Sequence, residues 1–314
     1  MGNDTLPMRQ RMDWVIAKFE SEEGSGRIGF VMEPDPRRYE WIEREGEQML
    51  FDRLERVLIP QRLLEEMAAQ MDGPPLYYQP PGIKDALEYV DSRRSAIAQL
   101  LKKGATTAEA GQDPSALTLE QLAGDELGFA ILSIDMVAST ALAAAVEPGD
   151  YARILSTYLY EVSRLIPLFR GQVLKYTGDG LVAYFPEPSF NSMNDLAVDC
   201  ALTIQLLLRD ALRPALRDQG LREIEARIGI DSGEAMVMLV GSPTTKRHAD
   251  IIGHVVNLAA KVQSAAAPGG VCLGEAAVSA LHVSWRQRIS PRPPDAAPDL
   301  RKADGSPYGL FEIS

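Results

Sequence analysis

From Leu127 onward the apolar residues fall alternately into short runs and helical stripes. GFAILSID (128–135) is an apolar run of strand length. Residues 151–169 put Ile154, Leu155, Leu159, Val162, Leu165 and Ile166 on one stripe and predict a helix. GQVLKY (171–176) and LVAYF (181–185) read as two strands, and the intervening TGDG carries strong hairpin chemistry. A helix is expected over 194–212, followed by a pair of strands in EARIGIDSG (225–233) and AMVMLVG (235–241). Residues 250–266 read as a helix, GGVCLG (269–274) as a strand and YGLFEI (308–313) as a terminal strand. This order predicts an α+β domain, a mostly antiparallel mixed sheet covered by helices.

Upstream, the spacing predicts a mainly helical N-terminal domain over 1–104. One helical stretch runs from Arg38 to Met71, with Trp41, Ile42, Leu50, Phe51, Leu54, Val57, Leu58, Leu63, Leu64 and Met67 apolar, and Pro60 should break it at Ile59. A second runs over 83–101. GPPLYYQPPG (73–82) is a Pro-rich connector, and residues 105–126 begin with the small, polar composition of a linker. The domain that follows is expected over 127–314.

The formal net charge of −12 argues against partners held by phosphate neutralisation, whether nucleic acid or an anionic membrane. It is unevenly spread: residues 1–125 carry 23 acids and 15 bases (−8), and 126–314 carry 21 and 17 (−4). Cys200 and Cys272 suit two buried thiols in a reducing compartment. The N-terminal stretch has no apolar signal region, and no run of about 18 apolar residues occurs. A cytoplasmic protein is expected.

Two acids stand out. Asp135 ends the run AILSID, and Asp179 sits in the TGDG turn. Carboxylates on neighbouring strand ends are one way to hold two divalent ions, Mg²⁺ or Mn²⁺, for phosphoryl chemistry. The helix start after Asp135, at Ala138, Ser139 and Thr140, offers free backbone N–H groups to a triphosphate. Taken singly, Asp179 reads as an Asp-Gly turn residue and Asp135 as a helix cap.

Five blocks in order, SIDMVAST (133–140), LKYTGDGLVAYFP (174–186), RIGIDSGEA (227–235), ADIIGHVVNLAAKV (249–262) and the closing YGLFEI, resemble the catalytic domain of class III nucleotidyl cyclases. The resemblance implies a ferredoxin-like fold and a homodimer whose two sites are shared between protomers. It implies metal binding by Asp135 and Asp179 with the carbonyl of Met136, base recognition by Lys175 and Asp250, ribose positioning by Asn257, and Lys261 in the place of the family's transition-state arginine. Lys175 with Asp250 is similar to the adenine-reading pattern, so ATP is the expected substrate and a 3′,5′-cyclic nucleotide the product.

The sequence departs from the pattern in places. Lys261 keeps the charge of arginine and loses its planar fork. Ala138 stands where many relatives have Gly, which is harmless unless the backbone there needs positive φ. Two other readings stay open: a pyrimidine cyclase making cUMP or cCMP as an antiphage second messenger, and an inactive cyclase fold used as a nucleotide sensor. The N-terminal domain is expected to regulate or organise the dimer, and a downstream cyclic-nucleotide effector would be a further partner.

Overall fold

The computed structural model describes residues 12–21, 28–44, 46–70, 82–103, 119–186, 193–242, 247–293, 296–302 and 304–314. It divides into two compact units, Met1–Tyr77 with His282–Ser284, and Tyr78–Leu281 with Trp285–Ser314. The expected connector at 73–81 and the linker up to residue 118 lie outside the described residues.

The smaller unit corrects the expectation of a mainly helical N-terminus. Strands β1 (Trp14–Ser21) and β2 (Ile28–Pro34) form an antiparallel pair. The stretch expected as one helix from Arg38 is a three-stranded meander, β3 (Tyr39–Arg44), β4 (Glu47–Asp52) and β5 (Val57–Pro60). Only then does helix α1 (Gln61–Gln70) begin. The reasons are local and tertiary. Gly46 turns the chain with φ 81°, and the Asp52 carboxylate accepts from the N–H groups of Leu54 and Glu55 in the next turn. Asp52 also takes the buried Arg38 guanidinium through Nε (2.9 Å) and Nη2 (2.7 Å), while Arg38 Nη1 reaches Asp13 at 3.1 Å. Tyr39, Leu50, Ile59 and Leu64 form the small core beside it.

The larger unit is built on a mixed sheet of order β12-β13-β11-β9-β6-β8-β7, with β10 paired to β9. Its strands are β6 (Glu126–Met136), β7 (Gln172–Tyr176), β8 (Leu181–Pro186), β9 (Ala226–Gly241), β10 (Arg247–Ile252), β11 (Val271–Gly274), β12 (Ile289–Pro291) and β13 (Leu310–Ile313). All pairings are antiparallel except β9 with β11. The residues expected as two strands at 225–241 are one continuous strand, β9, whose second half pairs with β10 instead. The helix expected from Asp250 likewise starts at His254, because residues up to Ile252 stay in the ladder.

Alternation along β6 sends Ala130, Leu132 and Ile134 to one core and Phe129 and Ile131 to another. Over the first core lie α2 (Ala86–Lys103), α4 (Pro148–Leu165) and α5 (Met193–Leu207), the last continuing through a π turn, Leu208–Leu212, into α6 (Arg213–Asp218). Between β6 and α4 sits the short α3 (Ser139–Ala145). Helix α7 (His254–Ala265) covers the second core with Val255 and Ala259. The short helices α8 (Glu275–Ala280) and α9 (Val283–Arg286) follow β11. Cys200 and Cys272 are buried and free, as expected. Among the described residues no helix is long and apolar enough to cross a membrane.

Helix α2 is part of this core. Val90, Ile97 and Leu101 are buried with Ile154 and Val162, and Arg93 forms a two-point ion pair with the fully buried Glu161 (2.6 and 3.0 Å). Burying three such side chains contributes on the order of 5 kcal/mol or more. A chain starting at Gly82 is therefore expected to melt cooperatively, whereas one starting at Leu119 loses several kcal/mol or fails to fold. Equal urea midpoints for the two truncations would refute this.

Candidate active site

Asp135 and Asp179 are brought together by strand register. Ile134 pairs with Leu181 across β6 and β8, so the next step places Asp135 against the turn that ends at Gly180. That turn closes with a 2.9 Å bond from Thr177 N–H to the Gly180 carbonyl, and Gly178 takes φ 86°. A Cβ on Gly180 would lie 2.2 Å from the Ile134 carbonyl oxygen and 2.9 Å from Asp135 Oδ1. Only glycine lets the turn rest on the end of β6.

The two carboxyls, both half-buried, sense one another. Burial raises the Asp135 pKa first, and the charge of Asp179 and a hydrogen bond with it raise it further. The Met136 N–H and the Arg227 charge pull the other way. Arg227 is the residue that sequence reasoning passed over. It faces Asp135 directly across the β6–β9 ladder, and its Nε is buried and finds no hydrogen-bond partner among the described residues. Its place in RIGIDSGEA was visible in the sequence, but its cross-strand partner was not.

Such a pair fits a hard divalent cation, which favours carboxylate oxygens and relieves the conflict of like charges. Among the described residues no three His, Cys, Asp or Glu side chains cluster as a closed metal cage. Two acids leave the remaining positions to water, backbone carbonyls and substrate oxygens, the habit of Mg²⁺.

Following Met136, Ala138 has φ 54° and ψ 33° at the N-cap of α3, with Ser139 and Thr140 as the first helical residues. The condition under which alanine is costly at this position is thus met.

The other expected residues form two further groups. Lys175 Nζ donates to both carboxylate oxygens of Asp250, at 2.9 and 2.7 Å, and Asp250 Oδ1 also accepts from the Ile251 N–H. A bulge at Leu174 shifts the β7–β8 register immediately before Lys175. Asp250 lies on β10, not on a helix. Asn257 and Lys261 stand one turn apart on the exposed face of α7, opposite its buried Val255, Leu258, Ala259 and Val262. Among the described residues no hydrogen bond or ion pair joins the aspartate pair, the Lys175–Asp250 pair and the α7 face.

The family model for the adenylate and guanylate cyclase catalytic domain matches residues 127–293. The chain is 30% identical to the adenylate cyclase of Anabaena cylindrica over 140 residues, 42% of this chain and 26% of that protein. It is 24% identical to the cytidylate cyclase of Escherichia coli over 199 residues, 60% of this chain and 43% of that protein. The chain thus spans less than half the length of these curated relatives. Its fold is similar to the crystal structure of the adenylyl cyclase CyaB from P. aeruginosa, with TM-score 0.52 and 24% identity, covering 60% of this chain and 95% of that one.

Two outcomes are expected. Replacing Ala138 with Gly relieves the left-handed strain and should stabilise the protein by about 1 kcal/mol, seen as a higher Tm; an unchanged or lower Tm would sink the strain argument. The second concerns pH. A carboxyl whose pKa is raised on folding destabilises the fold once ionised; this cost is absent below its ordinary value of 3.8, grows between that value and the raised one, and is complete above it. Metal-free Asp179→Asn should therefore melt above wild type at neutral pH, the gap closing on acidification. Parallel pH–Tm curves would refute the charge conflict.

Proposed function

The chain belongs to the adenylate and guanylate cyclase catalytic domain family, the class III nucleotidyl cyclases, and from that premise we propose that it converts ATP to the 3′,5′-cyclic nucleotide and pyrophosphate. The observation that carries this reading is the forced pairing of Asp135 with Asp179 at the open end of the central sheet. In the reaction the ribose 3′-oxygen attacks the α-phosphorus, its proton passes to solvent, and the bond to the β-phosphate breaks with pyrophosphate leaving.

Asp135 and Asp179, with the Met136 carbonyl, would hold two divalent ions, Mg²⁺ or Mn²⁺. Bound there, the ions would supply acidification of the 3′-hydroxyl and neutralisation of the triphosphate. The chain's own part is positioning and charge. Arg227, whose charge acts on Asp135, would draw a phosphate oxygen toward the acid pair. The backbone N–H groups of Ala138, Ser139 and Thr140 are the next candidates for the triphosphate. Lys175 offers N–H donors to a base and Asp250 accepts from an exocyclic amine; their mutual ion pair orients both in advance. Asn257 would set the ribose, and Lys261 would meet the charge that builds on the phosphoryl group.

We place the complete site in a head-to-tail homodimer. Two observations favour this. Asn257 and Lys261 project from the outer face of α7, and Met236, Met238, Val240 and Ile252 expose apolar surface along the β9–β10 arm, where Ile252 pairs with Met236. The N-terminal unit is proposed as a regulatory or dimer-organising element of a cytoplasmic enzyme. A second reading, a pyrimidine cyclase in antiphage signalling, is favoured by the similarity to a cytidylate cyclase.

The deciding experiment presents purified protein with equimolar ATP, GTP, CTP and UTP and Mg²⁺ or Mn²⁺, with products read by mass spectrometry. Cyclic AMP should dominate; a predominance of cCMP or cUMP transfers the assignment to the second reading. Asp179→Ala should abolish product while the protein remains dimeric by light scattering. Undiminished product from that variant would remove the acid pair from the mechanism.

A further inference from the structure

The carboxylate of Asp231, on β9, is fully buried, and three donors close on it. Its Oδ1 accepts from the N–H groups of Ser232 (2.9 Å) and Ala277 (3.3 Å), and its Oδ2 accepts from the Tyr308 hydroxyl at 2.8 Å. Gly274 on β11 leaves room for it, since a Cβ there would lie 2.3 Å from Oδ2. Tyr308 belongs to two limbs of chain, 296–302 and 304–309, that lie between β12 and β13 in sequence. Backbone bonds from the Tyr308 N–H to the Leu300 carbonyl and from the Lys302 N–H to the Ser306 carbonyl join the limbs. Glu275 pins them at two further points, accepting from the Gly309 N–H at 3.0 Å and pairing with the Lys302 ammonium at 2.8 Å. The limbs thus form a strap whose Leu300 and Tyr308 pack with Leu258 and Val262 of α7. Those two residues directly follow Asn257 and Lys261 in the helix.

The anchor of this strap is an unneutralised acid. Among the described residues no cation pairs with Asp231, and the Lys302 ammonium is matched by Glu275. Glu275 itself adds a second negative charge from α8. From the other elements Asp231 meets no charge: β6 faces it with Ile131, β11 with Gly274, and α7 turns Val255 and Ala259 inward. On the strap, burial and the Asp231 charge keep the Tyr308 phenol protonated, so it remains a donor. Burial, aided by Glu275 and opposed by the three donors, pushes the Asp231 pKa up to about 6. Lifting the strap would give the carboxylate water. The cost of closing over it is absent below the ordinary value of 3.8, grows between that value and about 6, and is complete above.

We propose that the strap is a proton-governed clamp on α7, which protonated Asp231 holds closed and ionised Asp231 loosens as pH rises. The Tyr308 hydroxyl is its point of attachment. Because the clamp bears on the residues beside Asn257 and Lys261, its state reaches that face of α7 without involving Asp135 or Asp179. It is a property of the fold and stands whatever reaction the site performs.

The test uses the full chain as wild type, Asp231→Asn and Tyr308→Phe. Amide hydrogen exchange is followed by mass spectrometry from about pH 5 to about pH 7.5 and corrected for the intrinsic pH dependence of exchange. Peptides covering Leu300 to Gly309 report the strap, and peptides from β8 report global opening. In wild type, strap protection should fall about tenfold over this range while β8 stays level. Asp231→Asn, a neutral side chain of the same shape, should keep the strap protected with no slope. Tyr308→Phe should lower strap protection at both ends of the range. A level wild-type strap, an equal slope in Asp231→Asn or unchanged protection in Tyr308→Phe would each overturn the clamp. So would a parallel fall in β8, which would make the effect one of global stability.

Discussion

The contact between the turn at Gly180 and the end of β6 sets the terms for the whole site. Two carboxylates of like charge are forced into each other's field there, an arrangement neither would adopt if its strand were free to slip. The opposing force comes from the ladders: β6 is paired to β8 from Phe129 to Ile134 and to β9 along its whole length. A one-residue slip would turn the Phe129/Ile131 face and the Leu132/Ile134 face inside out, so the register cannot relax to separate the acids. The apolar alternation of β6 therefore keeps Asp135 and Asp179 together.

This explains which parts were legible in the sequence. The TGDG turn, the runs of β6 and β8 and the stripes of α4 and α5 are signals of short range, and each was readable from spacing and turn chemistry. The Arg38–Met71 stretch was not, because its apolar residues come in neighbouring pairs, such as Trp41–Ile42, Leu50–Phe51 and Val57–Leu58, that satisfy helical and strand periods alike. What decides between them is the buried Arg38, whose partners Asp13 and Asp52 lie 25 and 14 residues away. Gly46, which takes φ 81°, is the one local clue. Similarly, the helical pattern of the segment after Ile252 extends back over Asp250, and the ladder with β9 overrides it as far as Ile252.

The candidate site shows the same division. The residue types came from ordered motifs, and the expected residues lie along strands, in a turn or on a helix. Their grouping did not follow from the motifs. That Lys175 meets Asp250, or that Arg227 faces Asp135, depends on pairings between residues 75 and 92 positions apart that no period encodes. Ala138 is the converse case, a local property that only the backbone angle reveals.

The grouping also changes how an acidic chain handles an anionic nucleotide. Lys175 is the cation that motif reading points to first, yet its charge is matched by Asp250 at 2.7 Å, so the pair is close to neutral from a distance. Such a pair discriminates by directed hydrogen bonds and contributes little long-range attraction. On the proposed reading, attraction falls to the half-buried Arg227, to the exposed Lys261, and to the divalent ions that Asp135 and Asp179 would hold. These charges have different tasks. Arg227 is fixed in a ladder and half-buried, so its position is set before substrate arrives. Lys261 is a flexible point charge on a helix surface and must be ordered by what it binds. A lysine there gives up the pre-set geometry of a guanidinium and retains the charge, which places the burden of orientation on the sheet end, where register has already fixed it.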